Sequence, residues 1–233
     1  MDTVKLIIDN REVVVEKGTT ILKAAQQMGI NIPTLCHFEL NGLNIHNCFG
    51  GFRICVLVFF VCCILASSCV TECMEGMVVN THSIRVINAR RTVLELILSD
   101  HPNDCLQCAK SGNCELQNLA IKFGIRDIHF KGEQSSYQIE VSPSIIRDMN
   151  KCIMCRRCET VCNDMQTVGA LSAIERGFPA VVSTAFNQQL DHSPCTFCGQ
   201  CVAVCPVGAL TEVDHTSKII RAINDEKKTN VMF

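Results

Sequence analysis

Two matching cysteine runs constrain this chain more than any other feature. The segments "CIMCRRCETVC" and "CTFCGQCVAVCP" both have the spacing C-x2-C-x2-C-x3-C, and the second ends in Pro206. In bacterial two-cluster proteins with this spacing, the fourth cysteine of each run binds the cluster of the other run. We therefore predict one 4Fe-4S cluster at Cys152, Cys155, Cys158 and Cys205, and another at Cys195, Cys198, Cys201 and Cys162. Zinc is the alternative, although zinc sites usually use two well-separated CxxC pairs.

The cysteine content of the whole chain fits metal sites better than disulfides. The 233 residues include 18 cysteines, one tyrosine and no tryptophan. The opening "MDTVKLIIDNREVVVEKG" lacks the basic and apolar regions of an export signal. In a reducing cytosol, clustered thiols are metal ligands more often than bridges, so we predict a cytoplasmic protein. The net charge of −2 offers no basic surface for a nucleic-acid backbone, which argues against nucleic acid as a partner.

A third group of candidate ligands lies in "HPNDCLQCAKSGNC", just after a predicted helix. Its pattern is H-x3-C-x2-C-x5-C, and the predicted ligands are His101, Cys105, Cys108 and Cys114. By itself this spacing fits a zinc ion and a 4Fe-4S cluster about equally well. A lone histidine at a helix end often interacts with the last carbonyls instead. The three cysteines just downstream favour a ligand.

The order of secondary structure predicts an α+β protein. "VKLIID" and "EVVVE" alternate like strands around the turn-forming "DNR". The next segment, "GTTILKAAQQMGIN", predicts a helix capped by Thr19 or Thr20 and ended by Gly29. A hairpin followed by a crossing helix is the opening of a β-grasp fold, and it also fits a small α+β domain without a cofactor. Further helices are predicted in "SIRVINARRTVLELILSDHP", stopped by Pro102, and in "CELQNLAIKFG", closed by Gly124.

With these motifs the chain resembles the N-terminal electron-transfer region of iron-only (FeFe) hydrogenases, particularly the NAD(P)-linked multisubunit enzymes. The resemblance covers nearly the whole chain and rests on "IPTLC", "GMVVNT", "ARRTVLELILSDHPNDCLQCAKSGNCELQ", "SPSIIRDMNKCIMCRRCETVC" and "CGQCVAVCPVGAL". Similar regions occur in the large iron-sulfur subunit of respiratory complex I and in α subunits of NAD-dependent formate dehydrogenase. The resemblance implies a β-grasp 2Fe-2S ferredoxin-type domain at 1–80, a small helical 4Fe-4S domain with one histidine and three cysteine ligands at 81–140, and a bacterial-ferredoxin-like domain with two 4Fe-4S clusters at 141–215.

The 2Fe-2S site that the resemblance implies is altered in this chain. The family uses a cysteine after "IPTL", a G-x-C-R-x-C pair and a fourth cysteine before the "GM-V" segment. Cys36, Cys55 and Cys69 fit three of these places. In "GGFRIC", Phe52 stands where the first cysteine of the pair belongs, and phenylalanine cannot bind iron. Cys48, four residues earlier, is the candidate replacement ligand if its loop refolds. We therefore expect a damaged or rewired 2Fe-2S site.

An uninterrupted apolar run follows this altered pair, from residue 54 to residue 66. A membrane-spanning helix needs ~20 residues, so the run is too short for one and membrane association is not expected. We predict a buried core element or an aggregation-prone strand. The nearby Cys62, Cys63 and Cys73 are expected to act as small buried hydrophobes.

The resemblance implies a one-electron relay using three 4Fe-4S clusters and one 2Fe-2S cluster. The expected partners are a flavin- or NAD(P)-binding iron-sulfur subunit or a soluble ferredoxin on one side, and a hydrogenase catalytic domain or subunit on the other. Residues 216–233 lie where such a catalytic domain would begin, and no cysteine follows Cys205. No catalytic residue is therefore predicted, and the chain is expected to be an electron conduit, a fragment or a truncated product.

Several alternatives remain open from the sequence. The chain fits the electron-transfer portion of a formate dehydrogenase α subunit or of an NADH dehydrogenase-type complex. It also fits a zinc-stabilised interaction module or a membrane-anchored electron carrier. Arg156 and Arg157, which lie between two cysteines of the first run, either offset the negative charge of a cluster, face an acidic partner, or form a solvated surface pair.

Overall fold

The computed structural model of the chain describes residues 2–40, 43, 45–47, 49–59, 64–133 and 135–225. The strands are β1 (Thr3–Ile8), β2 (Arg11–Glu16), β3 (Phe38–Leu40), β4 (Ile45–Asn47), β5 (Val56–Phe59), β6 (Leu65–Ser67), β7 (Val78–Asn80), β8 (Glu140–Val141), β9 (Ile145–Arg147), β10 (Ser172–Ile174), β11 (Val181–Ser183) and β12 (Leu210–Glu212). The α-helices are α1 (Ile21–Gln27), α2 (Ile84–Ser99), α3 (Glu115–Lys122), α4 (Arg157–Thr160), α5 (Gln200–Val204) and α6 (Thr216–Asn224). This mixture of small sheets and helices confirms the predicted α+β class.

A five-stranded sheet in the order β2-β1-β7-β5-β6 forms the N-terminal part. Strands β1 and β2 pair in antiparallel fashion, and β1 is parallel to β7. The hairpin turns at Asp9 and Asn10, whose φ values of 46° and 63° lie in the left-handed region that Asp and Asn tolerate. The Thr20 side chain caps α1 by accepting a hydrogen bond from the Lys23 N–H. The predicted hairpin and helix are therefore confirmed.

The described part of the apolar run lies inside this sheet. Strand β5 has β7 on one side and β6 on the other. Val56, Leu57 and Val58 are all buried, so neither face of the strand meets solvent. Helix α2 covers the strand from the side, where the Arg90 Nη2 donates a 2.7 Å hydrogen bond to the Val56 carbonyl. The run therefore contains a buried core strand, and a buried core element was one of the two predicted alternatives.

Two helices frame the candidate ligands of the middle part. The Ser83 hydroxyl caps α2 by accepting a hydrogen bond from the Val86 N–H. The helix ends at Ser99, just before Pro102, as the sequence predicts. Helix α3 follows the last of the three cysteines, and Gly124 adopts a φ of 63° just beyond it. The stretch between the helices is irregular and holds the ligands on short turns.

The C-terminal part consists of two small sheets and two short helices. Strands β8, β9 and β12 form an antiparallel sheet, and β10 pairs with β11. Helices α4 and α5 begin inside the two cysteine runs, and a π-helical turn at Val161–Met165 continues α4. The buried core of this part extends to Leu35, Cys36 and Ile54 of the N-terminal part. The N-terminal and C-terminal parts therefore share a packed boundary.

Helix α6 ends the described part of the chain, and none of its residues is buried. Within the described ranges, every helix is too short or too polar to cross a lipid bilayer. Residues 60–63 of the apolar run lie outside those ranges.

Candidate metal centres

The two cysteine runs fold into matching loops. Two residues after the first cysteine of each run, Met154 and Phe197 adopt left-handed φ values of 56° and 53°. Two residues further on, Arg156 and Gly199 do the same, at 60° and 75°. Helices α4 and α5 begin at the next residue in each run. The shared spacing therefore encodes one backbone conformation, used twice, that turns the thiols inward.

Backbone N–H groups in these loops point at sulfur atoms. The Met154 N–H donates to the Cys152 Sγ at 3.5 Å, and the Phe197 N–H donates to the Cys195 Sγ at 3.4 Å. Such hydrogen bonds favour the thiolate form and are one of the means by which proteins set cluster potentials. The two equivalent contacts show that the repeat extends to the environment of its first thiols.

Each predicted quartet surrounds one cavity. The first cavity is lined by Cys152, Cys155, Cys158 and Cys205, together with apolar neighbours such as Ile153 and Val207. The second cavity is lined by Cys162, Cys195, Cys198 and Cys201. The fourth thiol of each run thus reaches the cavity of the other run, which is the crossed arrangement that the spacing predicts.

Burial and mutual repulsion raise the pKa of several thiols in the two quartets. Burial raises the pKa of Cys155 and of Cys201 to about 12 in each case. The pKa of Cys158 is raised well above its usual value, first by burial and then by the charges of Cys155, Cys152 and Cys205. Thiolates packed this closely in an apolar cavity need a positive counterpart, and iron supplies one. Binding of metal must therefore release protons from these thiols.

The thiols ring the cavities rather than meet at a point. Over the described ranges, no three Cys, His, Asp or Glu side chains come close enough to hold a single metal ion. The thiolates of a cubane bind different iron atoms at its corners, so they stand farther apart than the ligands of one ion. The donor set and its spacing around each cavity fit a 4Fe-4S cluster.

The middle part gathers its candidate ligands less tightly. His101, Cys105 and Cys114 line one cavity. Burial lowers the pKa of His101, which favours the neutral imidazole that binds metals. Its Nδ1 is buried and hydrogen bonds to no other described residue, which fits a ring nitrogen that binds a metal. Burial also raises the pKa of Cys114, and the nearby charges of Cys108 and Cys105 add to that effect.

Cys108, the remaining candidate of this group, lies against the first quartet. A Cβ added to Gly208 would meet the Cys108 Sγ at 2.6 Å, closer than real Cβ contacts come. Gly208 follows Cys205 in the loop of the first quartet, so a glycine there permits the close approach. The Glu115 N–H also donates to the Pro206 carbonyl at 2.9 Å, next to the same two sites. The middle site and the first quartet are therefore in direct contact.

The structure describes three of the predicted 2Fe-2S ligands, Cys36, Cys55 and Cys69. Cys55 and Cys69 lie in the core of the N-terminal sheet with their Sγ atoms 3.4 Å apart. Hydrogen bonding from Cys69 lowers the pKa of Cys55 to about 6, despite its burial. Cys36 is buried in the core that extends to the first quartet, and Phe52 packs against that core. The predicted replacement ligand Cys48 lies outside the described residues, as do Cys62 and Cys63.

Two polar side chains connect the sites and carry no signal in the sequence. The Asn47 Nδ2 is buried and donates to the carbonyls of both Cys36 and Cys155, at 3.0 and 2.9 Å. Arg157 is also buried and contacts Glu115 and the His37 carbonyl. Sequence reasoning left the role of Arg157 open and missed Asn47, because both make contacts between segments that are far apart in the chain.

Three families of domains match the chain in succession. Residues 1–83 match the 2Fe-2S iron-sulfur cluster binding domain, residues 90–129 the NADH-ubiquinone oxidoreductase-G iron-sulfur binding region, and residues 142–211 the ferredoxin-like domain of NADH-quinone oxidoreductase subunit 3. The chain thus contains cluster-binding domains of both the 2Fe-2S and the 4Fe-4S type, which confirms that part of the cofactor prediction.

Curated relatives include hydrogenase and quinone-reductase subunits. The chain is 52% identical to the NADP-reducing hydrogenase subunit HndD of Solidesulfovibrio fructosivorans over 100% of its own length and 40% of that protein. It is 36% identical to an NADH-quinone oxidoreductase subunit of Rhizobium meliloti, covering 92% of this chain and 25% of the relative. It is 34% identical to the NADPH-Fe(3+) oxidoreductase subunit alpha of Geobacter sulfurreducens, covering 89% and 24%. The chain therefore spans well under half the length of these relatives.

A solved structure shares the fold. The chain superposes on one chain of an NAD+-reducing [NiFe]-hydrogenase in the H2-reduced state with a TM-score of 0.80 and 28% sequence identity. The match covers 90% of this chain and 87% of the other. This likeness and the domain matches confirm the predicted fold class, a mixed α and β chain with 2Fe-2S ferredoxin-like and iron-sulfur domains.

Proposed function

Because the chain belongs to the family of iron-sulfur subunits that includes HndD and the Rhizobium NADH-quinone oxidoreductase subunit, we propose that it relays single electrons through three 4Fe-4S clusters. The single observation that carries the proposal is the pair of crossed thiol quartets, each around its own cavity. When bound, such clusters supply one-electron redox chemistry. The residues of this chain supply the thiolates, the backbone donors to sulfur and the exclusion of water.

The proposed ligands follow from the geometry of each site. The first and second quartets, defined by the two cavities, hold one cluster each. His101, Cys105, Cys108 and Cys114 hold the third. Its neutral imidazole makes that cluster less negative than one with four thiolates, which raises its potential relative to the other two.

The N-terminal domain keeps the fold of a 2Fe-2S protein but lacks a complete set of ligands among its described residues. Cys36, Cys55 and Cys69 are the proposed ligands that remain from the family pattern. Phe52 stands where the family pattern has a cysteine and cannot bind iron, which argues that the site holds no cluster. Cys48 is the proposed fourth ligand if the site does fill.

The proposed partners follow from the relatives. HndD is named as a subunit of an NADP-reducing hydrogenase, and the solved neighbour belongs to an NAD+-reducing hydrogenase. We propose that electrons pass between a flavin- and NAD(P)-binding iron-sulfur subunit, or a soluble ferredoxin, and a hydrogenase catalytic domain or subunit. The higher identity to HndD than to the Rhizobium relative, 52% against 36%, favours the hydrogenase over an NADH dehydrogenase-type complex.

Iron and acid-labile sulfide, measured per chain on anaerobically purified protein with EPR of the reduced state, test the proposal. We expect about twelve irons with fast-relaxing 4Fe-4S signals only. A colourless chain that contains zinc and no sulfide would refute the relay and establish a zinc-stabilised module.

A matched variant tests the N-terminal site. Phe52→Cys restores the family pattern, so we expect about two further irons and a slow-relaxing 2Fe-2S signal. Gly51→Ser, at the exposed neighbouring position, should leave the iron content unchanged. A wild-type chain that already holds about fourteen irons would show instead that another thiol, such as Cys48, completes the site.

A further inference from the structure

The side chain of Arg157 lies where three cluster-binding segments meet. The residue itself stands between Cys155 and Cys158 of the first quartet. Its guanidinium pairs with both carboxylate oxygens of Glu115, at 2.6 and 2.9 Å, and Glu115 follows Cys114 of the middle site. Its Nη2 also donates to the carbonyl of His37 at 3.2 Å, and His37 follows Cys36. One buried cation therefore touches the segments of all three sites.

We propose that Arg157 is a positioning residue that holds the middle site and the N-terminal segment against the first quartet and sets the reduction potential of the cluster in that quartet. The inference rests on the proposed function, because it assumes that the first quartet binds a 4Fe-4S cluster. It goes further by making that cluster the junction of the relay and by naming the charge that tunes it.

The geometry supports the positioning role. A guanidinium that pairs with both oxygens of a carboxylate fixes the relative orientation of the two side chains, which a lysine ammonium does not. The backbone hydrogen bond from the Glu115 N–H to the Pro206 carbonyl joins the same two sites, because Pro206 follows Cys205 of the first quartet. Asn47 provides a parallel link between the Cys36 and Cys155 carbonyls. Arg157 thus belongs to a small set of contacts that hold the segments of these sites together.

The electrostatic role follows from burial. The Arg157 side chain is 8% exposed, whereas the carboxylate side chain of Glu115 is 46% exposed. Water therefore screens the negative partner more than the positive one, and the cation retains a net effect on its buried surroundings. A cluster gains negative charge when it is reduced, so a nearby buried cation stabilises the reduced form and raises the potential.

Arg156 provides a natural control. It is adjacent in sequence and equally charged, but its side chain is 35% exposed. It pairs with Glu159 within the same loop and stacks over the ring of Phe49 at 4.1 Å. Arg156 also lines the cavity of the first quartet. Its removal therefore takes away a charge beside the quartet, and should shift the potential of that cluster as well, but it leaves the contacts of Arg157 with Glu115 and the His37 carbonyl in place.

The experiment is a redox titration followed by EPR, on the full chain with its clusters loaded anaerobically. The variants are Arg157→Met, Arg157→Lys, Glu115→Gln and Arg156→Met. We expect Arg157→Met to make reduction of one 4Fe-4S cluster at least tenfold less favourable, which is a shift of about 59 mV to lower potential for a one-electron couple. Arg157→Lys keeps the charge and should hold the potential near that of wild type, but it should weaken the magnetic coupling between clusters. Glu115→Gln should shift the same cluster in the opposite direction.

The outcomes separate this inference from the proposed function. If the wild-type chain loads no iron, the proposed function fails. If the wild type loads its clusters but Arg157→Met leaves all potentials unchanged, or Arg156→Met weakens the magnetic coupling between clusters as much as Arg157→Met does, only the role of Arg157 is overturned. If Arg157→Met does not load, the sign of the shift in Glu115→Gln decides, and an unchanged or lowered potential there overturns the inference.

Discussion

Asn47 holds the N-terminal part against the first quartet, and its removal should open that boundary. The Asn47→Ala substitution deletes both hydrogen bonds of the amide, to the Cys36 and Cys155 carbonyls. Asn47 is 1% exposed, so water cannot reach these carbonyls without local opening. Two lost hydrogen bonds with buried carbonyls left unpaired cost about 2–4 kcal/mol. A cost of about 2.8 kcal/mol corresponds to a hundredfold more frequent opening, since each 1.4 kcal/mol is a factor of ten.

Hydrogen–deuterium exchange of the cluster-loaded chain, read by mass spectrometry, measures this opening directly. We expect the exchange of peptides around Cys36 and β4 to rise by one to two orders of magnitude in Asn47→Ala. The matched control is Asn150→Ala, because Asn150 also uses its amide to join two segments, donating to the Tyr137 carbonyl at 3.0 Å. That variant should loosen the Tyr137 segment and leave the Cys36 segment unchanged. Exchange near Cys36 that rises less than threefold in Asn47→Ala, or equally in both variants, would refute the reasoning.

Three further predictions concern other contacts of the structure. Gly208→Ala places a methyl group 2.6 Å from the Cys108 Sγ, so it should lower the free energy of unfolding by about 1–3 kcal/mol and reduce the iron content of the middle site. Gly51→Ala, whose methyl group meets no atom within 4 Å, should retain the full iron content, and equal iron in both variants would contradict the contact. Arg90→Met leaves the buried Val56 carbonyl of β5 without its side-chain donor, which should lower the free energy of unfolding by about 1–3 kcal/mol and the thermal midpoint by several degrees. An unchanged midpoint would show that the hydrogen bond does not contribute to stability. The Cys73 thiol is 4% exposed and burial raises its pKa to about 11, so iodoacetamide at pH 8 should label it only after unfolding, as read by mass spectrometry. Because the folded chain binds the Cys73 proton more tightly than the unfolded chain does, protonation of Cys73 favours the folded state. This contribution to stability is fully present below about pH 9 and is lost as the pH rises through about 11.

The parts of the site that the sequence predicted are those encoded locally. The three-residue spacing within each run dictates a loop with left-handed residues at fixed positions, so the thiols of one run could be placed relative to one another. The hairpin, α1, α2 and α3 follow from turn residues, caps and helical periodicity in the same local way.

The contacts between the sites could not be predicted, because they join residues far apart in the chain. The bond from Asn47 to Cys155 spans 108 residues, and those from Arg157 to Glu115 and His37 span 42 and 120. No period or motif in the sequence relates such pairs.

The contacts that join the sites also indicate how the chain tolerates the phenylalanine at position 52. The middle site meets the first quartet through Cys108 and Gly208, and the charge of Cys201 in the second quartet acts on Cys158 in the first. The N-terminal site contacts the first quartet through Asn47, which donates to the Cys36 and Cys155 carbonyls. It is therefore a branch of the proposed relay and not a link between the three 4Fe-4S sites. Loss of one ligand on that branch leaves the path from the middle site to the second quartet intact, because that path runs through the first quartet alone.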